Sequence, residues 1–450
     1  MKAKPYHKRE TVQSSYTRDP ISEVIQEAVV KTQSSLVYNA CYGALICPVG
    51  NYWKEYEEAI KHYSEEELKQ EHPGKIRPEG YKHPTFKCPD MSPSPSIPTS
   101  VERVKAADIK VIAALGDSLT TAIAANASTF LGVPIEYRHV SFSIGGHGSY
   151  EDVITLANIV KLFNPDVLGP APVWTLHNYP ITVNDTGFNL AVTGHNTVNF
   201  SIQARDMINT FKTYPGLNFK EDWKLVTILI GMNDICDYCK DRKLFTADNF
   251  IHYLTQSLDM MMNEVPRLIV NVVQIFTMKP LREVSKPTLG CLLQKSFCSC
   301  LVLPDENSTE LAELVELNLV FQRKLEELLN SERFFKEDFA VVLQPFVTHA
   351  QPPRLPNGKI DLSFFTPDCF HFTIKGHEEL AKGLWNNMFQ PPDAKEMIDT
   401  FSEPVTLICP SEKHPYIYTR PNALSSASSL HIIWSLMTLT ILLTIWSNLH

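Results

Sequence analysis

A short apolar run that stops at a Gly-Asp-Ser tripeptide constrains this chain more than any other feature. Residues 111–115 read Val-Ile-Ala-Ala-Leu, a pattern typical of a strand buried on both faces in a parallel sheet. Gly116 and Asp117 end the run, and an alanine-rich segment predicted to be helical follows Ser118. Asp and Ser are also ordinary turn and helix-capping residues. If the strand and the helix form, however, Ser118 lies where open α/β sheets bind ligands and where free backbone N–H groups can hold an oxyanion.

Alternating strand and helix patterns follow this run along the chain. Apolar runs predict strands over residues 110–115, 138–142, 188–193, 225–230, 268–276 and 339–344. Helical patterns lie between or after them, over residues 150–163, 202–213, 247–264, 310–330 and 374–388. This alternation predicts an α/β fold, a three-layer α/β/α sandwich with a mainly parallel sheet covered on both faces.

Two further stretches carry candidate reactive groups. The run at 225–230 leads into Gly-Met-Asn-Asp, which places Asn233 just after a predicted strand. Asp368 and His371 stand three residues apart, directly ahead of a predicted helix. A serine hydroxyl needs a neighbouring imidazole to take its proton, and that imidazole in turn needs an acceptor for its other N–H. Ser118, Asp368 and His371 are therefore candidates for nucleophile, orienting acid and base.

These motifs together resemble the GDSL (SGNH) family of serine esterases and lipases. The resemblance implies that Ser118 is the nucleophile, and that Asp368 and His371 supply the acid and the base. It also implies an oxyanion hole made by the Ser118 backbone N–H, the Asn233 side chain and a glycine N–H.

The glycine is open to two assignments. Gly194 follows a predicted strand and precedes a predicted helix, as in the family's second conserved block, and is our first choice. The family usually has Ala-Arg after this glycine, whereas His195-Asn196 stand here. The alternative is Gly145 or Gly146, although a Gly-Gly pair is equally typical of a tight turn.

A closer resemblance, over roughly residues 88–420, is to the phospholipase B group of that family. It is carried by segments such as FKEDWKLVTILIGMNDICDYC and DLSFFTPDCFHFTIKGHEELAKGLWNNM. It implies a calcium-independent hydrolase of phospholipids and lysophospholipids, with retinyl and glyceride esters as further candidate substrates. Two alternatives stay open: a GDSL esterase for small or carbohydrate esters, and a catalytically silent binding domain.

Composition excludes several other classes. The net charge of -9 and the lack of a basic stripe give no reason to expect a nucleic-acid partner. No Gly-x-Gly-x-x-Gly opens a helix after a strand, and the Cys236-x-x-Cys239 pair has no second pair at zinc spacing. We therefore expect no cofactor and no metal. The 10 cysteines suit disulfides in an oxidising compartment. Candidate glycosylation sequons also indicate a protein of the secretory route. They begin at Asn126, Asn184, Asn199 and Asn307.

The chain divides by composition into four predicted parts. Residues 1–87 have no assigned role, residues 88–103 include a Pro/Ser-rich linker, and residues 104–420 form the catalytic domain. Residues 430–446 are apolar and predict a membrane anchor, either a single-pass helix or a GPI signal. We therefore expect a monomer on the outer face of the plasma membrane, although no clear signal peptide is apparent.

Overall fold

The structure, a computed structural model, describes residues 80–285 and 288–420 of the chain. The strands are β1 (Ile109–Gly116), β2 (Ile135–Glu136), β3 (Thr175–Leu176), β4 (Trp223–Leu229), β5 (Leu268–Val273), β6 (Phe335–Lys336) and β7 (Phe339–Gln344). The α-helices of this part are α1 (Ser118–Thr121), α2 (Leu156–Phe163), α3 (Val183–Thr186), α4 (Phe200–Thr213), α5 (Met232–Asp237), α6 (Ala247–Glu264), α7 (Leu289–Phe297), α8 (Ser299–Val302), α9 (Thr309–Leu329) and α10 (Ile374–Met388).

A parallel sheet in the order β1-β4-β5-β7 lies at the centre, and the short β6 pairs antiparallel with β7 at one edge. The strands pair through their apolar runs; Val226 of β4, for example, lies between Ala113 of β1 and Val270 of β5. Nearly all strand side chains are buried, as expected for a sheet covered on both faces. The predicted α/β fold with a mainly parallel sheet is confirmed, and it brings the carboxyl ends of these strands to one edge.

A fifth parallel segment runs beside β1 on its free side. The N–H of Leu190 donates to the Ala114 carbonyl at 2.9 Å, and that of Val192 donates to the Gly116 carbonyl at 3.1 Å. The predicted strand at 188–193 is therefore present as a hydrogen-bonded neighbour of β1, although it forms only an isolated bridge at Asn189. It delivers Thr193 and the following loop to the carboxyl end of β1.

Helices flank the sheet in two packed groups, one of α4, α6 and α9 and one of α2 and α10. The sequence of α6 shows why such helices form: Phe250, Leu254, Leu258 and Met261 recur at helical spacing and are buried on one face. Thr246 caps its amino end by accepting a hydrogen bond from a backbone N–H of the first turn.

The predicted bounds of α6, α10 and β7 match the structure. Three other predictions were wrong. The helix predicted over the alanine-rich segment after Ser118 ends at Thr121, because Ala122 adopts a left-handed conformation with a φ of 53°. Residues 138–142 contain a 3-10 turn over Arg138–Val140 rather than a strand, because the N–H of Ser141 donates back to the carbonyl of Arg138 at 3.2 Å. The helix predicted over 150–163 begins only at Leu156, since the Thr155 hydroxyl accepts a hydrogen bond from the Asn158 N–H and caps it there.

The Pro/Ser-rich stretch at 91–100 is fixed on the domain surface. The Ser94 hydroxyl donates to Asp108 at 2.7 Å, and the Trp223 indole N–H donates to the Pro98 carbonyl at 2.8 Å. A disulfide joins Cys88 to Cys409. The domain boundaries stay predictions, and residues 1–79 and the predicted anchor at 430–446 lie outside the described residues.

Candidate active site

The turn after β1 places a serine at the start of a helix. Asp117 caps α1 by accepting a hydrogen bond from the Leu119 N–H at 2.9 Å, which fixes Ser118 as the first helical residue. Gly116 cannot be replaced without movement, because a Cβ there would lie 2.3 Å from the backbone oxygen of Leu229 on the neighbouring strand. The turn is therefore set by close packing of two strands.

Ser118, His371 and Asp368 form a continuous chain of hydrogen bonds. His371 Nε2 lies 2.8 Å from Ser118 Oγ, and His371 Nδ1 lies 2.7 Å from Asp368 Oδ2. All three residues are buried. An ionised carboxylate can only accept, so the Nδ1–H donates to Asp368 and leaves Nε2 as the acceptor for the serine hydroxyl. Chemically, this arrangement can transfer the Ser118 proton to the imidazole.

The loop that carries Asp368 holds its carboxylate in place. Oδ1 accepts hydrogen bonds from the Thr366 hydroxyl at 2.5 Å and from the backbone N–H groups of Phe370 and His371 at 2.9 and 3.0 Å. Burial acts to raise the pKa of Asp368, but the charge of His371 and these donors outweigh it and lower the pKa below its ordinary value. Asp368 therefore stays ionised and oriented toward the imidazole.

Helix α7 supports the same loop from behind. A disulfide joins its Cys291 to Cys369, which lies between the acid and the base and has a positive φ of 57°. The ring of Phe297, at the end of α7, meets the His371 ring at 5.5 Å, and Phe370 meets it at 5.0 Å. The sequence analysis missed this helix, because the cysteine spacings gave no pairing and therefore no partner for the loop.

The donors proposed for the oxyanion hole lie on three different loops. Within the described residues, the backbone N–H groups of Ser118 and Gly194 have no hydrogen-bond partner. Gly194 has a φ of +83°, which favours glycine, and open space beside its Cα. The Asn233 side-chain amide donates one hydrogen to the His195 carbonyl at 2.9 Å, which orients the amide and leaves its second hydrogen for a ligand.

Gly145 and Gly146 already use their backbone donors. The N–H of Gly145 donates to the Ser141 carbonyl, and that of Gly146 donates to the Ala171 carbonyl, both at 2.9 Å. The geometry thus favours Gly194 over this pair for the oxyanion hole. The roles of Ser118, Asp368, His371, Asn233 and Gly194 stay predictions.

Gln203 connects the nucleophile turn to the Gly194 loop, and the sequence analysis missed it. Its side chain accepts from the Gly116 N–H at 2.9 Å and donates to the Gly116 carbonyl at 2.8 Å. Its amide also lies 3.1 Å from Nδ1 of His195. Burial lowers the pKa of His195, which favours the neutral ring needed to accept this bond. A glutamine on a helix gives no sequence signal for such a role.

Two buried aspartates flank the site. Asp234 accepts hydrogen bonds from the backbone N–H and the hydroxyl of Thr197, and so ties α5 to the loop that precedes α4. Burial raises the pKa of both Asp117 and Asp234 to about 7. These contacts connect the loops around the site, and neither aspartate hydrogen-bonds to His371.

A buried ion pair lies beneath the Gly194 loop and was also missed. Arg138 and Glu136 are both buried and approach to 2.6 Å. The second Glu136 oxygen accepts from the Thr193 hydroxyl at 2.6 Å, and the hydroxyls of Thr193 and Thr121 lie 2.7 Å apart. Two hydrogen-bonded contacts thus connect this carboxylate to α1 and to the residue before Gly194. Charged residues are rarely buried, so the pattern of the sequence assigned them no core role.

The described residues contain no cluster of three or more His, Cys, Asp or Glu side chains arranged to hold a metal ion. Of the four sequons, Asn184 and Asn307 have exposed side chains, whereas Asn126 and Asn199 are half-buried.

Comparisons with known proteins identify relatives of this chain. Residues 112–384 match the family described as GDSL-like Lipase/Acylhydrolase. The chain is 39% identical over 345 residues to human "Phospholipase B1, membrane-associated", and 40% identical over 344 residues to the mouse protein of that name. Each match covers 75% of this chain but 23% of the relative, so the chain spans about a quarter of the length of these relatives. On the strength of the family match, which begins within β1 and ends within α10, the chain belongs to the GDSL-like lipase/acylhydrolase family.

Proposed function

We propose that this chain is a serine ester hydrolase that cleaves acyl esters of phospholipids and lysophospholipids without calcium. The observation that carries the proposal is the hydrogen-bonded chain from Ser118 Oγ through His371 to Asp368. The substrate class rests on the similarity to relatives named phospholipase B1.

Acylation would begin with proton transfer. His371 Nε2 takes the proton of Ser118 as Oγ attacks the ester carbonyl carbon, and Asp368 stabilises the resulting imidazolium. The carbonyl oxygen becomes an oxyanion, for which Ser118 N–H, Gly194 N–H and the Asn233 amide are the proposed donors. The ester C–O bond then breaks, and His371 returns the proton to the departing alcohol, which leaves an acyl-serine.

Deacylation repeats these steps with water. His371 takes a proton from water as its oxygen attacks the acyl-serine carbonyl, and the same three donors would hold the second oxyanion. When this intermediate collapses, the fatty acid leaves and Ser118 Oγ regains its proton from His371. Two easier steps thus replace one difficult hydrolysis.

We also propose that the protein acts as a monomer at a membrane. The relatives are named membrane-associated, and residues 430–446 would be the anchor, as a single-pass helix or a GPI signal on the outer face of the plasma membrane. In the part of the chain that the structure describes, no helix combines the length and the apolar character needed to cross a bilayer. The four disulfides of that part are typical of proteins from an oxidising compartment.

Hydrolysis of phosphatidylcholine and lysophosphatidylcholine by the full chain, in the presence of a calcium chelator, tests the proposal. Fatty acid should be released from both lipids, and Ser118→Ala should abolish the release. Ser257→Ala is the matched control, because Ser257 is also buried but donates only within its own helix, to the Tyr253 carbonyl. Cleavage of a short-chain ester alone would assign a small-ester esterase instead. Folded protein without either activity would leave a binding domain.

A further inference from the structure

Exposed apolar side chains are concentrated in one loop on the active-site side of the sheet. Val173, Trp174, Tyr179 and Ile181 are 44%, 44%, 64% and 43% exposed. Single exposed apolar residues are ordinary on protein surfaces, but a group of large ones in nine consecutive positions marks an interaction site. We call residues 173–181 the apolar loop.

The buried carboxylate of Glu136 connects the apolar loop to the Gly194 loop. One oxygen of Glu136 accepts from the Thr175 hydroxyl at 2.8 Å, and the other accepts from the Thr193 hydroxyl at 2.6 Å. The chain neighbours of these threonines, Trp174 and Val192, are therefore brought to the same part of the surface. Val192 is itself 37% exposed and precedes Gly194 by two residues.

The segments that carry these residues contain almost no charged side chains. Residues 167–204 include one, Asp185, although the chain as a whole has a net charge of -9. The apolar loop and Val192 contain no Asp, Glu, Lys or Arg, so their contact with a lipid surface would remove none of these charged groups from water, a step that is otherwise costly. Tryptophan and tyrosine also favour the head-group region of lipid layers, because each combines an apolar ring with a polar tip.

We propose that the apolar loop, together with Val192, docks the enzyme on a phospholipid surface and presents an ester to Ser118. This inference rests on the proposed function and adds the partner of the same site. A second protein seated on this face would block the approach to the nucleophile, whereas a lipid layer supplies the substrate there. The occupant that fits the apolar, uncharged face is thus a zwitterionic lipid surface.

The test compares Trp174→Ala/Tyr179→Ala with Leu303→Ala/Leu355→Ala, a control pair that is 61% and 43% exposed and lies elsewhere in the sequence. All proteins are full chains and carry Asn184→Gln, so that carbohydrate on this exposed residue cannot cover the loop. Hydrolysis of phosphatidylcholine vesicles should fall at least about tenfold in the first variant, through a higher apparent KM, and stay unchanged in the control pair. Turnover of a soluble short-chain ester should be unchanged in both.

Binding to phosphatidylcholine vesicles is measured separately, in proteins that carry Ser118→Ala. The emission of Trp174, taken as the difference between the parent and a Trp174→Phe variant, should shift to shorter wavelength when phosphatidylcholine vesicles are added. No shift, or unchanged vesicle hydrolysis by Trp174→Ala/Tyr179→Ala, would overturn the proposal. A dimer that this variant converts to a monomer would assign the face to a second copy instead. If the parent cleaves only the soluble ester, the assignment of phospholipids as substrates fails. The emission shift still tests whether the apolar loop docks on a lipid surface.

Discussion

The side-chain amide of Gln203 satisfies both backbone groups of Gly116, accepting from its N–H at 2.9 Å and donating to its carbonyl at 2.8 Å. Gly116 ends β1 two residues before the proposed nucleophile, and Gln203 belongs to the first turn of α4. The contact therefore fixes the position of the Ser118 turn relative to α4. The loop that precedes α4 carries Gly194 and His195.

Replacing Gln203 should affect turnover more than substrate affinity. In Gln203→Leu, the buried N–H of Gly116 loses its partner and the Gly116 carbonyl keeps only the Val192 N–H, so we expect the free energy of unfolding to fall by about 1–3 kcal/mol. The Ser118 turn should also lose its fixed position, so kcat for a soluble ester should drop at least about tenfold with little change in KM. Gln256→Leu, on an exposed position of α6, is the control. A proportional rise in KM with unchanged kcat would contradict a positioning role.

Removing the Asn233 amide should impair transition-state stabilisation without disturbing the fold. Loss of one oxyanion donor typically lowers kcat by about 10²–10³. We therefore expect Asn233→Ala to lose about that much turnover while its melting temperature stays near that of the parent, because the amide makes a single contact, to the His195 carbonyl. Steady-state kinetics and thermal unfolding measure the two quantities. Full activity in Asn233→Ala would remove this residue from the oxyanion hole.

Removing the Cys291–Cys369 disulfide should affect activity as well as stability, whereas removing the Cys88–Cys409 disulfide should affect stability alone. Cys291→Ser/Cys369→Ser removes the covalent link between α7 and the loop from Asp368 to His371 and leaves the hydrogen bond from Gln294 to the Cys369 carbonyl, so both stability and kcat should fall. Cys88→Ser/Cys409→Ser should reduce stability alone, because that disulfide joins segments outside the catalytic loops. Loss of a native disulfide typically costs about 2–5 kcal/mol. We compare kcat of the two variants well below each melting temperature, and equal values would show that the Cys291–Cys369 disulfide does not position His371.

Asp117 should make stability depend on pH. Its pKa is raised to about 7 in the fold, so between pH 4 and pH 7 the native carboxyl keeps a proton that the unfolded chain releases. The free energy of unfolding therefore decreases as pH rises through this window, by up to about 1.4 kcal/mol per pH unit. Asp117→Asn removes this titration and also the Asp117 charge that raises the pKa of Asp234.

The expected result is that Asp117→Asn gains stability relative to the parent as pH rises from 4 to 7. Urea unfolding at several pH values measures it, and Asp166→Asn, at an exposed aspartate, should show no such gain. If the free energies of unfolding of the parent and of Asp117→Asn change with pH in parallel, the buried carboxyl is ionised throughout this range.

The sequence by itself determined the parallel sheet and the candidate reactive residues. Largely apolar runs at 110–115, 225–230 and 339–344 predict strands covered on both faces, and polar residues directly after parallel strands lie at one edge of the sheet. The helical repeat from Ala247 to Glu264 and its threonine cap fixed the bounds of α6. These features depend on residues close together in the chain, so the sequence pattern alone predicts them.

Only the tertiary structure decided the contacts that hold the site. Gln203 reaches Gly116 across 87 positions, Cys291 reaches Cys369 across 78, and the two oxygens of Glu136 bridge Thr175 and Thr193. The free N–H of Gly194, and the occupied N–H groups of Gly145 and Gly146, likewise depend on which strand or turn each backbone meets. A buried polar group must find a partner wherever the fold brings one, and residue type and spacing along the chain do not specify that partner.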